Sequence, residues 1–153
     1  SVYEGGIRVP CIVRYPGRAL PGTTDNTPSY FPDWFPSLCD LTGAQRPANL
    51  DGESLRPLIF NTAKRKPFHR SKPMIWEFHG YRGQLAVMDS NWKAVRQTIR
   101  TKKPGPWELY DLNNDSGEAV NLARKYPQIL KRLEESLLAD RTKSQRYPLK
   151  LLE

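Results

Sequence analysis

Met74-Ile75-Trp76-Glu77-Phe78, Gln84-Leu85-Ala86-Val87-Met88 and Trp92-Lys93-Ala94-Val95-Arg96 are three short apolar runs separated by His79 to Gly83 and by Asp89-Ser90-Asn91. Runs of β-branched and aromatic residues bounded by turn formers read as strands, and connections this short join antiparallel neighbours. Trp107-Glu108-Leu109-Tyr110-Asp111 supplies a fourth strand. Successive hairpins through His79-Gly80 and Asp89-Ser90-Asn91 give a small meander. Trp92 and Ala94 alternate with Lys93 and Val95, a pattern compatible with one solvated face.

Downstream, Tyr126 to Asp140 places Ile129, Leu130, Leu133, Leu137 and Leu138 at helical spacing, with Pro127 in the first turn, where its missing donor is harmless. This helix is expected to bury its leucines on one face of the meander. Residues 71–153 therefore read as a small α+β subdomain.

Residues 1–70 read differently, as a strand and a short helix that need a larger body to pack on. Glu4-Gly5-Gly6-Ile7-Arg8-Val9-Pro10 runs into Cys11-Ile12-Val13, a β-branched stretch that predicts a buried strand stopped by Arg14-Tyr15-Pro16-Gly17. Gly17 to Pro28 is a polar connection. From Asp33 to Gly43 a short helix is expected, with Asp33 as cap, Pro36 in the first turn, Gly43 just past the end, and Trp34, Leu38 and Leu41 on the buried face. Leu50 to Leu58 reads as a turn and one helical turn, and the basic run Lys64 to Lys72 as a linker with an exposed His69. A strand without neighbours leaves amides unpaired and apolar surface uncovered, so this first portion is expected to be poorly ordered, rearranged or partnered.

Among 153 residues, 24 Lys and Arg stand against 16 Asp and Glu, a net charge of +8, with 38% hydrophobic residues. That composition folds. The 14 Pro and 10 Gly predict long irregular connections and modest helix content. No apolar stretch approaches the length that spans a bilayer as a helix. Cys11 and Cys39 lack metal-ligand spacing and read as two buried thiols, with a disulfide between them left open.

Several motifs in fixed order resemble the C-terminal third of the type I sulfatases, within the alkaline-phosphatase-like superfamily. Glu4 to Pro10 with Tyr15-Pro16-Gly17 is similar to that family's E-G-G-x-R-x-P…W-P-G. Asp33-Trp34-Phe35-Pro36-Ser37-Leu38 with Leu41-Thr42-Gly43 resembles D-x-x-P-T-L…L-x-G, and Leu50 to Leu58 resembles L-D-G-x-S-L-x-P-L. Glu108 to Ala123 is similar to E-L-Y-D-L-x-x-D-P-x-E-x-x-N-L-A. Ser37 and Ser116 stand where the family usually has Thr and Pro.

The resemblance implies hydrolysis of sulfate esters, on small molecules or carbohydrates, by a formylglycine hydrate beside a calcium ion. It also implies that residues 1–70 are a strand-and-helix piece of a larger α/β sulfatase domain, with an N-terminal sulfatase domain as partner and a periplasmic, secreted or lysosomal setting. Neither Cys11 nor Cys39 sits in the family's C-x-P-S-R or C-x-A-S-R site, and the calcium ligands and sulfate-contacting lysine are expected upstream. The segment is therefore expected to be inactive alone, with no catalytic or metal residue of its own, and to supply scaffold and pocket rim.

His79, at a strand end between Phe78 and Tyr81, and Arg82 are the candidate substrate-binding residues, since an imidazole and a guanidinium can both donate to sulfate or sugar oxygens. Asp111, Asp115 and Glu118 read as turn chemistry rather than metal ligands. Arg8 reads as a loop tie, and the four tryptophans as core or half-buried residues. Taken literally, the basic runs at 64–72, 100–103 and 141–150 suggest a module binding polyanions or nucleic acid. No specific nucleic-acid signature and no membrane element accompanies them. A related phosphoesterase is the remaining alternative.

Overall fold

The four strands form where the apolar runs place them: β1 Met74–Phe78, β2 Gln84–Asp89, β3 Trp92–Gln97 and β4 Trp107–Asp111. They pair antiparallel in the order β1-β2-β3-β4. The computed structural model describes residues 1–60 and 68–149, and the chain divides into two units, Ser1–Val9 with Lys72–Glu153, and Pro10–Ser71.

In the first unit, the side chains of the sheet sort by parity. Ile75, Leu85, Val87, Trp92, Ala94, Trp107 and Leu109 face a helix, α4 (Pro127–Asp140), and pack with its Ile129, Leu130, Leu133 and Leu137. Leu133 and Leu137 are buried, each contributing about 1.5–3 kcal/mol. Leu138, expected on that face, is exposed instead. Its position points away from the Leu133–Leu137 stripe.

The other face of the sheet is not solvated. Trp76, Ala86, Val95 and Tyr110 pack there with Val2 and Tyr3, so the first residues of the chain cover the surface that the alternation left to water. Just beyond them, Glu4–Ile7 forms a single helical turn, α1. Lys93, expected outside, is fully buried, its ammonium paired with Glu4 at 2.7 Å and with Glu118 at 2.9 Å. Glu118 Oε1 holds the ammonium as an ion pair without a hydrogen bond, and its other oxygen accepts the backbone amide of Glu4 at 2.5 Å. Glu118 adopts a left-handed φ of 54°, which turns its carboxylate back under the sheet.

Three more polar contacts fasten this lid. Tyr3 and Tyr110 both donate their hydroxyls to Glu108 Oε2, and Val2 N donates to Gln84 Oε1 at 3.2 Å. These bonds explain why Ser1–Val9 belongs with the sheet rather than with residues 10–70, where the sequence placed it.

Cys11-Ile12-Val13 does not form the expected strand. It has no ladder partner among the described residues, Ile12 is 92% exposed, and Cys11 is exposed with a free thiol. An apolar run without a neighbouring strand has nothing to pair its amides. Cys39 is buried and also free, so no disulfide joins the two.

Within Pro10–Ser71, a 3-10 turn at Phe31–Asp33 leads into α2 (Trp34–Thr42), which Gly43 ends at φ 78°. The buried face of α2 is Pro36, Ser37 and Cys39; Leu38 is exposed, and Trp34 and Leu41 are only half-buried. The face expected from hydrophobicity alone is therefore wrong. Small polar packing decides it, because Ser37 Oγ donates to Asp33 O and accepts Leu55 N at 2.7 Å. Leu55 opens α3 (Arg56–Ile59), the expected helical turn. Gly52 reaches so close to the turn that a Cβ there would lie 2.1 Å from the carbonyl oxygen of Pro32.

Replacing Lys93 with Met should destabilise the sheet unit by about 3–5 kcal/mol, because Glu4 and Glu118 are left charged and uncompensated. Adding Glu4→Gln and Glu118→Gln should recover much of that loss. Denaturant melts of the single and triple variants decide it; a single variant as stable as the parent would remove the ion triad from the fold.

Candidate functional site

The sequence-selected pair lies at one end of the sheet, where Phe78, Gln84 and Gln97 stand in register. Between β1 and β2 the chain turns tightly, Gly83 N donating to Gly80 O at 2.9 Å while Tyr81 and Arg82 take left-handed φ values of 49° and 66°. Past the strands, Ile99 N donates to Gly83 O at 3.1 Å and Arg100 N to Arg82 O at 2.9 Å, extending the β2–β3 ladder and drawing two loops together.

That extension sets Arg100 against His79. Nη1 of Arg100 meets Nδ1 of His79, a contact that needs Nδ1 as acceptor and leaves the ring proton on Nε2. The His79 ring also lies 4.9 Å from that of Tyr147. Arg82 joins the group through its carbonyl, while its side chain is exposed. Sequence reading singled out His79 and Arg82 and placed Arg100 and Tyr147 only within two basic runs; their contacts with His79, 21 and 68 residues away, carry no local motif. His69 is exposed, as expected, and residues 64–67 of the basic linker lie outside the described residues. Arg70 is no linker residue: its guanidinium grips Asp33 at 3.0 and 2.5 Å.

Asp33 is itself a hub rather than the cap of α2. Fully buried, it also accepts Tyr30 N at 3.0 Å and Glu53 N at 2.8 Å. Burial, with Asp33 nearby, pushes the Tyr30 hydroxyl up to about 12. Burial and the Glu108 carboxylate likewise push Tyr3 to about 12 and Tyr110 further. All three tyrosines stay protonated as donors, which suits anchoring rather than proton transfer.

The acidic run does turn work. Asp111 accepts Asn113 N at 3.2 Å and Asn114 Nδ2 at 2.7 Å, and Asp115 accepts Ala119 N at 3.0 Å and Val120 N at 2.8 Å. Those two amides hold the Asp115 carboxyl below its ordinary range. Asn121 then receives Leu109 N at 3.1 Å, closing the edge of β4. A calcium ion needs convergent free oxygens. These face amides and the Lys93 ammonium, and among the described residues no three His, Cys, Asp or Glu gather as a metal site. Cys11 lies exposed outside any element, and Cys39 is buried within α2.

Residues 1–143 match the family model described as N-sulphoglucosamine sulphohydrolase, C-terminal. An uncharacterized sulfatase of Schizosaccharomyces pombe is 33% identical over 144 residues, covering 88% of this chain and 25% of its own length. Human arylsulfatase A is 32% identical over 161 residues, covering 88% of this chain and 31% of its own. A solved structure from work on glycosaminoglycan metabolism by Bacteroides thetaiotaomicron superposes with a TM-score of 0.61 over 91% of this chain and 30% of that one, at 19% identity, a likeness of fold. The chain thus spans about a quarter to a third of the length of the curated relatives it matches.

Because the folded Asp115 carboxyl is held below its unfolded value, its contribution is present above the unfolded pKa of about 3.9 and fades as pH falls through the lower folded one. Asp115→Asn should therefore lower the melting temperature at neutral pH and lose that difference in acid. Thermal melts across pH check this, and a gap that stays constant into acid would contradict it.

Proposed function

The chain belongs to the sulfatases, in the family of N-sulphoglucosamine sulphohydrolase C-terminal regions, and we propose that it is the C-terminal part of an enzyme hydrolysing sulfate esters of aryl or carbohydrate substrates. The observation that carries this reading is the family match across residues 1–143, which spans both units. In it the sheet unit is scaffold, Pro10–Ser71 is a piece of the large α/β domain, and the reacting groups come from the enzyme's remaining portion. Calcium and formylglycine would supply the Lewis acid and the nucleophile there.

His79 and Arg82 act from the pocket rim. His79 offers an Nε2–H donor, its orientation set by Arg100 and Tyr147. Arg82 offers an exposed guanidinium on a loop whose backbone is fixed on both sides. Both types of donor suit the oxygens of a sulfate ester or a sugar and bring no nucleophile. Their role is binding and orientation, holding the ester while the groups of the other portion react.

In a complete sulfatase carrying this segment, Arg82→Ala and His79→Ala should each raise KM for a sulfated monosaccharide about tenfold, the loss of one charge-assisted or ring donor, while kcat changes little. Steady-state kinetics with this substrate and with an aryl sulfate would show it. Values within twofold of the parent for both substrates would remove the rim role, and no sulfate-ester hydrolysis by the complete protein would overturn the reading itself.

A further inference from the structure

The two loops at the His79 end of the sheet carry Arg82, Arg100, Lys102 and Lys103, and neither 79–83 nor 98–106 contains an acidic residue. All four cations are exposed. Among the described residues none of them meets a carboxylate; Arg100 instead meets His79, a second basic side chain. The nearest strand carboxylate, Glu77, is engaged by Arg141. Acids collect at the opposite end, where Asp89, Trp92 and Asp111 stand in register and Arg132 reaches Asp89 at 3.6 Å. The sheet is therefore polarised along its strands.

The basic end is also preformed. Thr98, at φ 53°, receives Gly105 N on its hydroxyl at 3.0 Å, Gly105 N also reaches Gln97 O at 3.0 Å, and Arg96 donates to Gly105 O at 2.9 Å. Loops held this way present their cations with little ordering left to do on binding. Tyr81, 75% exposed against Phe78, and Tyr147 beside His79 add flat apolar faces among the charges. Unneutralised cations that crowd one another cost repulsion, and a ligand bearing several anionic groups relieves it.

We propose that this end of the sheet is a docking surface for a sulfated glycan chain, on which Arg100, Lys102 and Lys103 hold anionic groups in series while Tyr81 and Tyr147 lie along sugar faces. The proposal rests on the sulfatase reading for its choice of ligand and names a polymer rather than a small ester as the substrate class. Arg100 becomes a binding residue in its own right, not only the partner of His79.

Binding of the full chain to a heparin-derived decasaccharide, to the same chain fully desulfated, and to single-stranded DNA of matched charge tests it over a NaCl series. The decasaccharide should bind about tenfold or more tightly than either competitor, and affinity should fall linearly in log–log with salt. Arg100→Ala combined with Lys102→Ala and Lys103→Ala should weaken binding about tenfold or more and lower the salt slope by about one per cation removed, with the melting temperature unchanged. Arg132→Ala, at the other end, should change neither. Equal or tighter binding to DNA, undiminished binding to the desulfated chain, or a triple variant with the parental slope would each overturn the proposal. Because no turnover is read, such failure leaves the sulfatase reading standing, whereas intact binding by a complete enzyme that hydrolyses no sulfate ester fails that reading alone.

Discussion

An ammonium with no access to water must be matched by charge, and Lys93 is matched by two carboxylates, Glu4 ahead of the sheet and Glu118 in the turn past β4. Its desolvation alone would cost several kcal/mol, so Glu4 and Glu118 are held to it as firmly as the sheet holds Lys93. Much follows from that one constraint. Residues 1–7 become the cover of a face that four strands cannot bury by themselves, and the turn after β4 must take a left-handed φ at Glu118 to bring its carboxylate under the sheet. The sheet thereby acquires two covered faces, α4 on one and the chain's first residues on the other.

The same economy operates in Pro10–Ser71, where Asp33 replaces Glu4 and Glu118 as the buried charge and Arg70 replaces Lys93. A bidentate guanidinium and two backbone amides satisfy one carboxylate, tying the turn before α2 to Glu53 and to the residues just before β1. Motif positions thus serve as joints. Asp33 and Ser37 join one helix to the Leu50–Leu58 turn, and Gly52 is glycine because that turn approaches the Pro32 carbonyl too closely for a Cβ.

The four strands and α4 were legible almost to the residue, because short apolar runs between turn formers and a leucine stripe over four turns are local signals. Gly43 and Pro127 marked helix ends for the same reason. What was not legible depends on distant partners. A lysine at an alternate strand position reads as solvated unless one knows that Glu4 returns to meet it 89 residues away. Cys11-Ile12-Val13 reads as a strand because composition is strand-like, yet pairing is a property of neighbours. On α2 the apolar stripe misled, since Ser37 and Asp33 are drawn inward by hydrogen bonds that hydrophobicity does not register. At the candidate site, His79 and Arg82 stood out through their place beside a glycine in a hairpin, whereas Arg100 reaches them only through a ladder extension that no motif announces.

The two units also differ in how completely they cover their own apolar surface, and this bears on what each does. The sheet unit buries Leu85, Val87, Ala94, Val95 and Leu109 almost entirely, leaving its exposed character to charge at the loop ends. Pro10–Ser71 instead shows Ile12, Phe31, Phe35 and Leu38 to solvent, with Phe31 88% exposed. A helix with aromatic residues on its outer side is what one layer of an α/β domain presents to its sheet. Under the sulfatase reading the division of labour is then physical: one unit completes a large domain through apolar contact, while the other, already closed on itself, can spend its surface on recognition. Cations there need not be neutralised internally, because the stability of the sheet rests on Lys93, on α4 and on the covered far face rather than on any ion pair at the rim.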